Sequence, residues 1–176
     1  MYGFLYVHMY IYSMNNTSIQ QLAIRLKACK KTIVTAESIT AGRFAALLTS
    51  VPGASSYFLW GYTTYSNDAK MRMLWVSPGS LDAYWAVSKQ VSREMSLWAM
   101  QWLGADIAIS FTGNAWPSPM EDKPVWLSYI TIYMKKSDEY IYEVFAYTST
   151  MNWREDIIDD TMMFACQKLL EMLSIH

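Results

Sequence analysis

Histidine is nearly missing from this chain. Only His8 and His176 are present, one near each end. Chain ends are usually the least ordered part of a domain. A Ser-His-Asp triad and a histidine-built metal site are therefore not expected, and a nucleophile here needs another base, with lysine the leading candidate. Cysteine is as scarce. Cys29 and Cys166 provide no disulfide framework, and both read as reduced thiols of a cytoplasmic protein. Charge is also low, at 16% of residues with a net charge of -1. That argues against a nucleic-acid surface or an anionic-membrane surface. Long apolar runs are absent too. The aromatic stretch 1–13, MYGFLYVHMYIYS, is too short to span a bilayer, and it lacks the basic start and small-residue cleavage site of a signal peptide. We read it as a leader or added arm ahead of a single domain at 14–176.

The chain does have a large apolar inventory. Apolar residues make up 53% and aromatics 15% of 176 residues. A domain of this size buries roughly 70% of its unfolded surface. The surplus of Met and aromatic side chains points to self-association, which we expect as a homodimer.

Hydrophobic period and turn residues divide the chain into alternating elements. Thr17 or Ser18 caps a helix with Ile19, Leu22, Ala23 and Leu26 on one face. Thr32–Ala36 reads as a strand, Arg43–Thr49 as a helix, and the second half of Ser55–Tyr65 as a strand. Asn67–Leu74 reads as a short helix. Pro78 opens the next one after Ser77. Ser88 caps a helix that runs to Leu103 and stops at Gly104. Ala105–Phe111 has the continuous apolar character of a buried strand. Val125–Met134 and Glu139–Tyr147 form a hairpin. A last helix covers Trp153 to Ser174, capped by Asn152 or the Thr148–Thr150 cluster. The pattern predicts an α/β fold: a three-layer α/β/α sandwich with a mixed sheet, in a single domain.

Two stretches carry the chemistry. Ser38 follows the first strand and precedes a helix, at a junction where backbone N–H groups can stabilise a developing oxyanion. Lys70 could take the serine proton if burial lowers its pKa. Tyr65 could relay that proton or orient the lysine. Spacing alone leaves another reading open, in which the serine is a cap and the lysine is solvated.

The ordered set Glu37-Ser38-Ile39-Thr40-Ala41-Gly42, Ser50-Val51-Pro52-Gly53, Thr64-Tyr65-Ser66-Asn67-Asp68-Ala69-Lys70, Ala86-Val87-Ser88, Thr112-Gly113 and Lys123-Pro124-Val125 resembles the C-terminal CinA domain. This is the nicotinamide-nucleotide amidase family, and the likeness covers about Ser18 to Leu173. It implies hydrolysis of the amide of nicotinamide mononucleotide by a Ser-Lys mechanism, with no cofactor and no metal. Ser38 would be the nucleophile and Lys70 the base, with Tyr65 assisting. Glu37, Thr40, Thr112, Gly113, Asn114 and Ala115 would line the nucleotide pocket, and Arg154 would bind the phosphate.

Departures from that pattern motivate a second reading, a catalytically impaired binding or assembly module. The glycine-rich continuation after Thr112-Gly113 becomes Asn114-Ala115-Trp116-Pro117-Ser118-Pro119-Met120. Trp126 follows Lys123-Pro124-Val125. Trp75, Trp85 and Trp98 also stand where glycine is expected. Glycine serves where backbone takes positive φ or approaches a ligand.

Overall fold

The computed structural model describes residues 17–115, 123–137 and 139–174. The arm at 1–13, both histidines and Trp116 lie outside them. Residues 17–28 form helix α1. There follow β1 (Ile33–Glu37), α2 (Arg43–Thr49), a 3-10 turn (Ala54–Ser56), β2 (Phe58–Thr63), α3 (Asn67–Leu74), α4 (Pro78–Tyr84), α5 (Lys89–Leu103), β3 (Ile107–Gly113), β4 (Leu127–Lys136), β5 (Glu139–Thr148) and α6 (Arg154–Ser174). One sheet has the order β2-β1-β3-β4-β5. The β2-β1-β3 part is parallel, and β4 and β5 are added antiparallel.

Alternation along the strands fills two cores. Ile33, Ile107, Ile109 and Phe111 point to one face, where α1, α2 and α6 contribute Leu22, Leu26, Phe44, Leu48, Ile157 and Leu169. Val34, Ala36 and Ala108 point to the other, under Leu74, Leu81, Val91, Met95 and Ala99 of α3, α4 and α5. This is the predicted three-layer sandwich, and both central strands are buried on both faces, as parallel strands are.

Local chemistry accounts for most element ends. Ser66 and Ser88 cap α3 and α5 by accepting from Ala69 N at 3.1 Å and Val91 N at 3.2 Å. Gly104 ends α5 at φ 61. Where a boundary moves, a side chain has claimed the backbone. Thr32 gives both its N–H (2.9 Å) and its hydroxyl (2.8 Å) to Asp106, so β1 begins only at Ile33 and β3 only at Ile107. Burial raises the Asp106 pKa, but the Thr32 bonds and the Lys31 charge outweigh it and hold the carboxyl below its usual range. Val125 and Trp126 turn so that Leu127 N donates to the Pro124 carbonyl, and β4 starts there. The final helix begins at Arg154, so Asn152 stands one residue ahead of the cap position. The Trp153 carbonyl receives Ile157 N, while Ser149 donates to Asp160 instead.

Candidate functional site

The three parallel strands end together, and the chain runs from β1 to neighbours on opposite sides. That reversal of strand order opens a crevice at the carboxyl ends of β1 and its neighbours. Ser38 leaves β1, Tyr65 follows β2, and Thr112 and Gly113 end β3. Residues from all three ends line a cleft of about 370 Å³.

The turn after β1 is built by one carboxylate. Glu37 is 1% exposed. Its oxygens accept from Gly42 N (3.0 Å), Phe44 N (3.1 Å), Ala45 N (2.8 Å) and the Thr35 hydroxyl (2.9 Å). It therefore supplies the N-terminal cap that no residue next to α2 provides, and its negative charge suits that helix end. Ala41 (φ 51) and Gly42 (φ 90) fold the turn back in left-handed conformations. Ser38 N is fixed to the Phe111 carbonyl at 2.9 Å.

Lys70 sits in the first turn of α3, 1% exposed. Its Nζ lies 3.0 Å from Ser38 Oγ, 2.9 Å from the Thr64 carbonyl and 3.2 Å from the Tyr65 carbonyl. Two carbonyls can accept only N–H. The third neighbour is a hydroxyl, which can also donate. The two carbonyls thus hold the buried amine against the serine hydroxyl.

Arg154, at the start of α6, faces the cleft from the other side. It donates to the Tyr65 hydroxyl (3.0 Å) and the Ala115 carbonyl (3.3 Å). Asn114 is 2% exposed and donates to the Lys123 carbonyl at 3.1 Å. Thr112 gives its hydroxyl to the Ala86 carbonyl at 2.7 Å. Gly113 has no room for a side chain: an added Cβ would stand 2.5 Å from Ser128 Oγ and 2.8 Å from the Leu127 carbonyl. Lys70 and Arg154 are the basic side chains of the lining, and no carboxylate is among the described lining residues. The cleft therefore suits an anion.

The structure brings Ser38, Tyr65, Lys70, Thr112, Gly113, Asn114, Ala115 and Arg154 together at the cleft and leaves Glu37 and Thr40 outside its lining. Glu37 does not line the cleft, because its oxygens are turned into the α2 cap. Thr40 is fully buried and does not line it either. Tyr65 lines it, with its carbonyl accepting from Lys70 and its phenol engaged by Arg154. Sequence reasoning missed the wall formed by Ala86 and Val87, and missed Lys123, which holds that wall. Asn67, at the start of α3, is a further lining residue that spacing did not single out. Among the described residues, no three His, Cys, Asp or Glu side chains stand together as a metal site. No helix among them is long and apolar enough to cross a membrane.

Residues 15–173 match the model of the CinA C-terminal domain family. A CinA-like protein from Chlorobium limicola is 44% identical over 131 residues, covering 73% of this chain and 30% of that protein. Another from Chlorobaculum tepidum is 38% identical over 131 residues, covering 73% of this chain and 31% of that protein. The chain thus spans about a third of the length of these relatives. A CinA superfamily structure from Klebsiella pneumoniae superposes with a TM-score of 0.83 at 27% identity, covering 92% of this chain and 99% of that one. One from Escherichia coli gives 0.81 at 28% identity, covering 90% of each chain.

Proposed function

Given that the chain belongs to the CinA C-terminal domain family, we propose that it hydrolyses the amide of nicotinamide mononucleotide to nicotinate mononucleotide and ammonia. The observation that carries this reading is Lys70 Nζ, buried, 3.0 Å from Ser38 Oγ with two carbonyls taking its N–H groups. Ser38 Oγ attacks the amide carbon and Lys70 takes its proton. The oxyanion is received by the amide of Ile39, which lines the cleft just ahead of α2. Lys70 then gives the proton to the departing nitrogen, so ammonia leaves and an acyl-serine remains. Water, deprotonated by the same amine, attacks that ester. The carboxylate product forms and the proton returns to Ser38. Arg154 holds the phosphate by charge-assisted hydrogen bonds, exchanging them for its bonds to Tyr65 and Ala115.

Ammonia release from nicotinamide mononucleotide tests this reading. Ser38→Ala should abolish release while leaving the denaturation midpoint in place. Lys70→Arg should abolish it too, because a guanidinium does not give up its proton near neutrality. Release that survives Ser38→Ala removes the assigned nucleophile. The homodimer and the cytoplasmic location belong to this proposal as well, and sedimentation of the purified chain checks the first.

A further inference from the structure

The wall opposite the nucleophile turn is held by its carbonyls. Four consecutive ones, from Tyr84 to Val87, each accept a side-chain donor. Lys123 Nζ gives hydrogen bonds to the Tyr84 carbonyl (3.0 Å) and to the Val87 carbonyl. Ser88 Oγ donates to the Trp85 carbonyl at 2.9 Å, and Thr112 to the Ala86 carbonyl at 2.7 Å. The Lys123 carbonyl is itself held by Asn114. A single amine therefore spans the segment that carries Ala86 and Val87, and its backbone is tied to the cleft floor. Lys123 does not line the cleft, so any effect it has on substrate passes through the wall.

We infer that Lys123 is a positioning residue that sets the grip of the cleft on its nucleotide by fixing residues 84–88. The inference rests on the amidase reading for its substrate, but the clamp itself can be read without it. Lys123→Met keeps the stem and removes both donors, while Lys123→Arg keeps two donors. In the full chain, Lys123→Met should raise KM for nicotinamide mononucleotide by about tenfold, with kcat changed far less. Lys123→Arg should recover much of the loss. Hydrogen exchange at the amides of 84–88 should quicken in Lys123→Met and stay unchanged in β1 and β3. A fall in kcat at constant KM, or no change in either, overturns the role in binding. Unchanged exchange at 84–88 overturns the clamp. If the parent chain neither binds nor hydrolyses the nucleotide, the amidase reading fails, and the exchange result still decides the clamp.

A second inference rests on backbone alone. Helices α3, α4 and α5 all end on a residue with positive φ. Gly104 closes α5 at φ 61, ψ 30, and Trp75 closes α3 at φ 46, ψ 31, the same conformer. Trp85 closes α4 at φ 67, ψ 167, a region only glycine enters freely. The Trp75 indole meets Trp98 and Trp102 edge-on, but the two indoles are 53% and 54% exposed, so core burial does not account for a large side chain in either place. We propose that positions 75 and 85 are read as glycine in the source cell. The codon UGA differs by one base from the tryptophan codon UGG and from the glycine codon GGA, and reassigned UGA can be read as either. Peptide mass mapping of the protein made by its own source should give glycine at both positions, encoded by UGA. UGG codons there, or peptides carrying tryptophan, overturn the proposal.

Discussion

The two sides of the cleft solve one problem in opposite ways. Both are irregular backbone pressed against a sheet, and both contain residues in left-handed conformations. On the nucleophile side, one carboxylate gathers three backbone N–H groups, and the side chain that does so is buried inside the turn. On the wall side, three donor side chains, from the cap of α5, from β3 and from the segment before β4, gather four carbonyls. The first device is local and compact: Glu37 and Ala45 are eight positions apart. The second depends on parts of the chain up to 39 positions apart. A turn fixed from within holds the Ser38 hydroxyl. A wall fixed from outside can be changed without disturbing that hydroxyl.

Breaking the inner device should have the largest effect. Glu37→Gln turns an amide N–H₂ toward N–H groups that need an acceptor. It should cost about 3 kcal/mol in urea denaturation and abolish ammonia release together with the turn. A cost as small as that of an exposed substitution would show that the carboxylate does not organise α2. The outer device carries strain that can be relieved: Trp85→Gly should raise stability by about 1–2 kcal/mol. The matching change inside, Ala41→Gly at φ 51, should gain only about 0.5 kcal/mol, because a small residue is strained less there and glycine loosens the unfolded chain. Equal gains at the two sites would erase the contrast.

Another small effect is expected at the other end of β1, where Asp106 repeats the carboxylate device in partial exposure. Its folded pKa is held below the unfolded value. Its contribution is therefore present above the unfolded pKa and is lost as pH falls through the folded one. Asp106→Asn should lower stability at neutral pH by less than about 1 kcal/mol and flatten the acid limb of the stability curve.

Caps and hydrophobic period made much of this fold legible. Ser66, Ser88 and Gly104 sit at the helix ends their chemistry implies, and the bounds of α2 and α3 were readable in full. Strand ends were displaced where side chains took backbone groups, as Asp106 does with Thr32, because such a contact joins residues 74 positions apart. In the cleft, sequence indicated which residues gather but not which way they point. Tyr65 adjoins the lysine in the chain, yet its phenol turns to Arg154, 89 positions on. The family resemblance put Glu37 in the nucleotide pocket; only the backbone of α2 shows what its oxygens bind. Lys123 was visible within Lys-Pro-Val, with nothing in the sequence to connect it to Tyr84 and Val87.

Separation along the chain also orders events during synthesis. Ser38 and Lys70, 32 positions apart, are both made in the first half of the chain. Arg154 opens the last helix. On the ribosome, the hydrogen-bonded Ser38 and Lys70 are therefore translated well before Arg154, the guanidinium across the cleft.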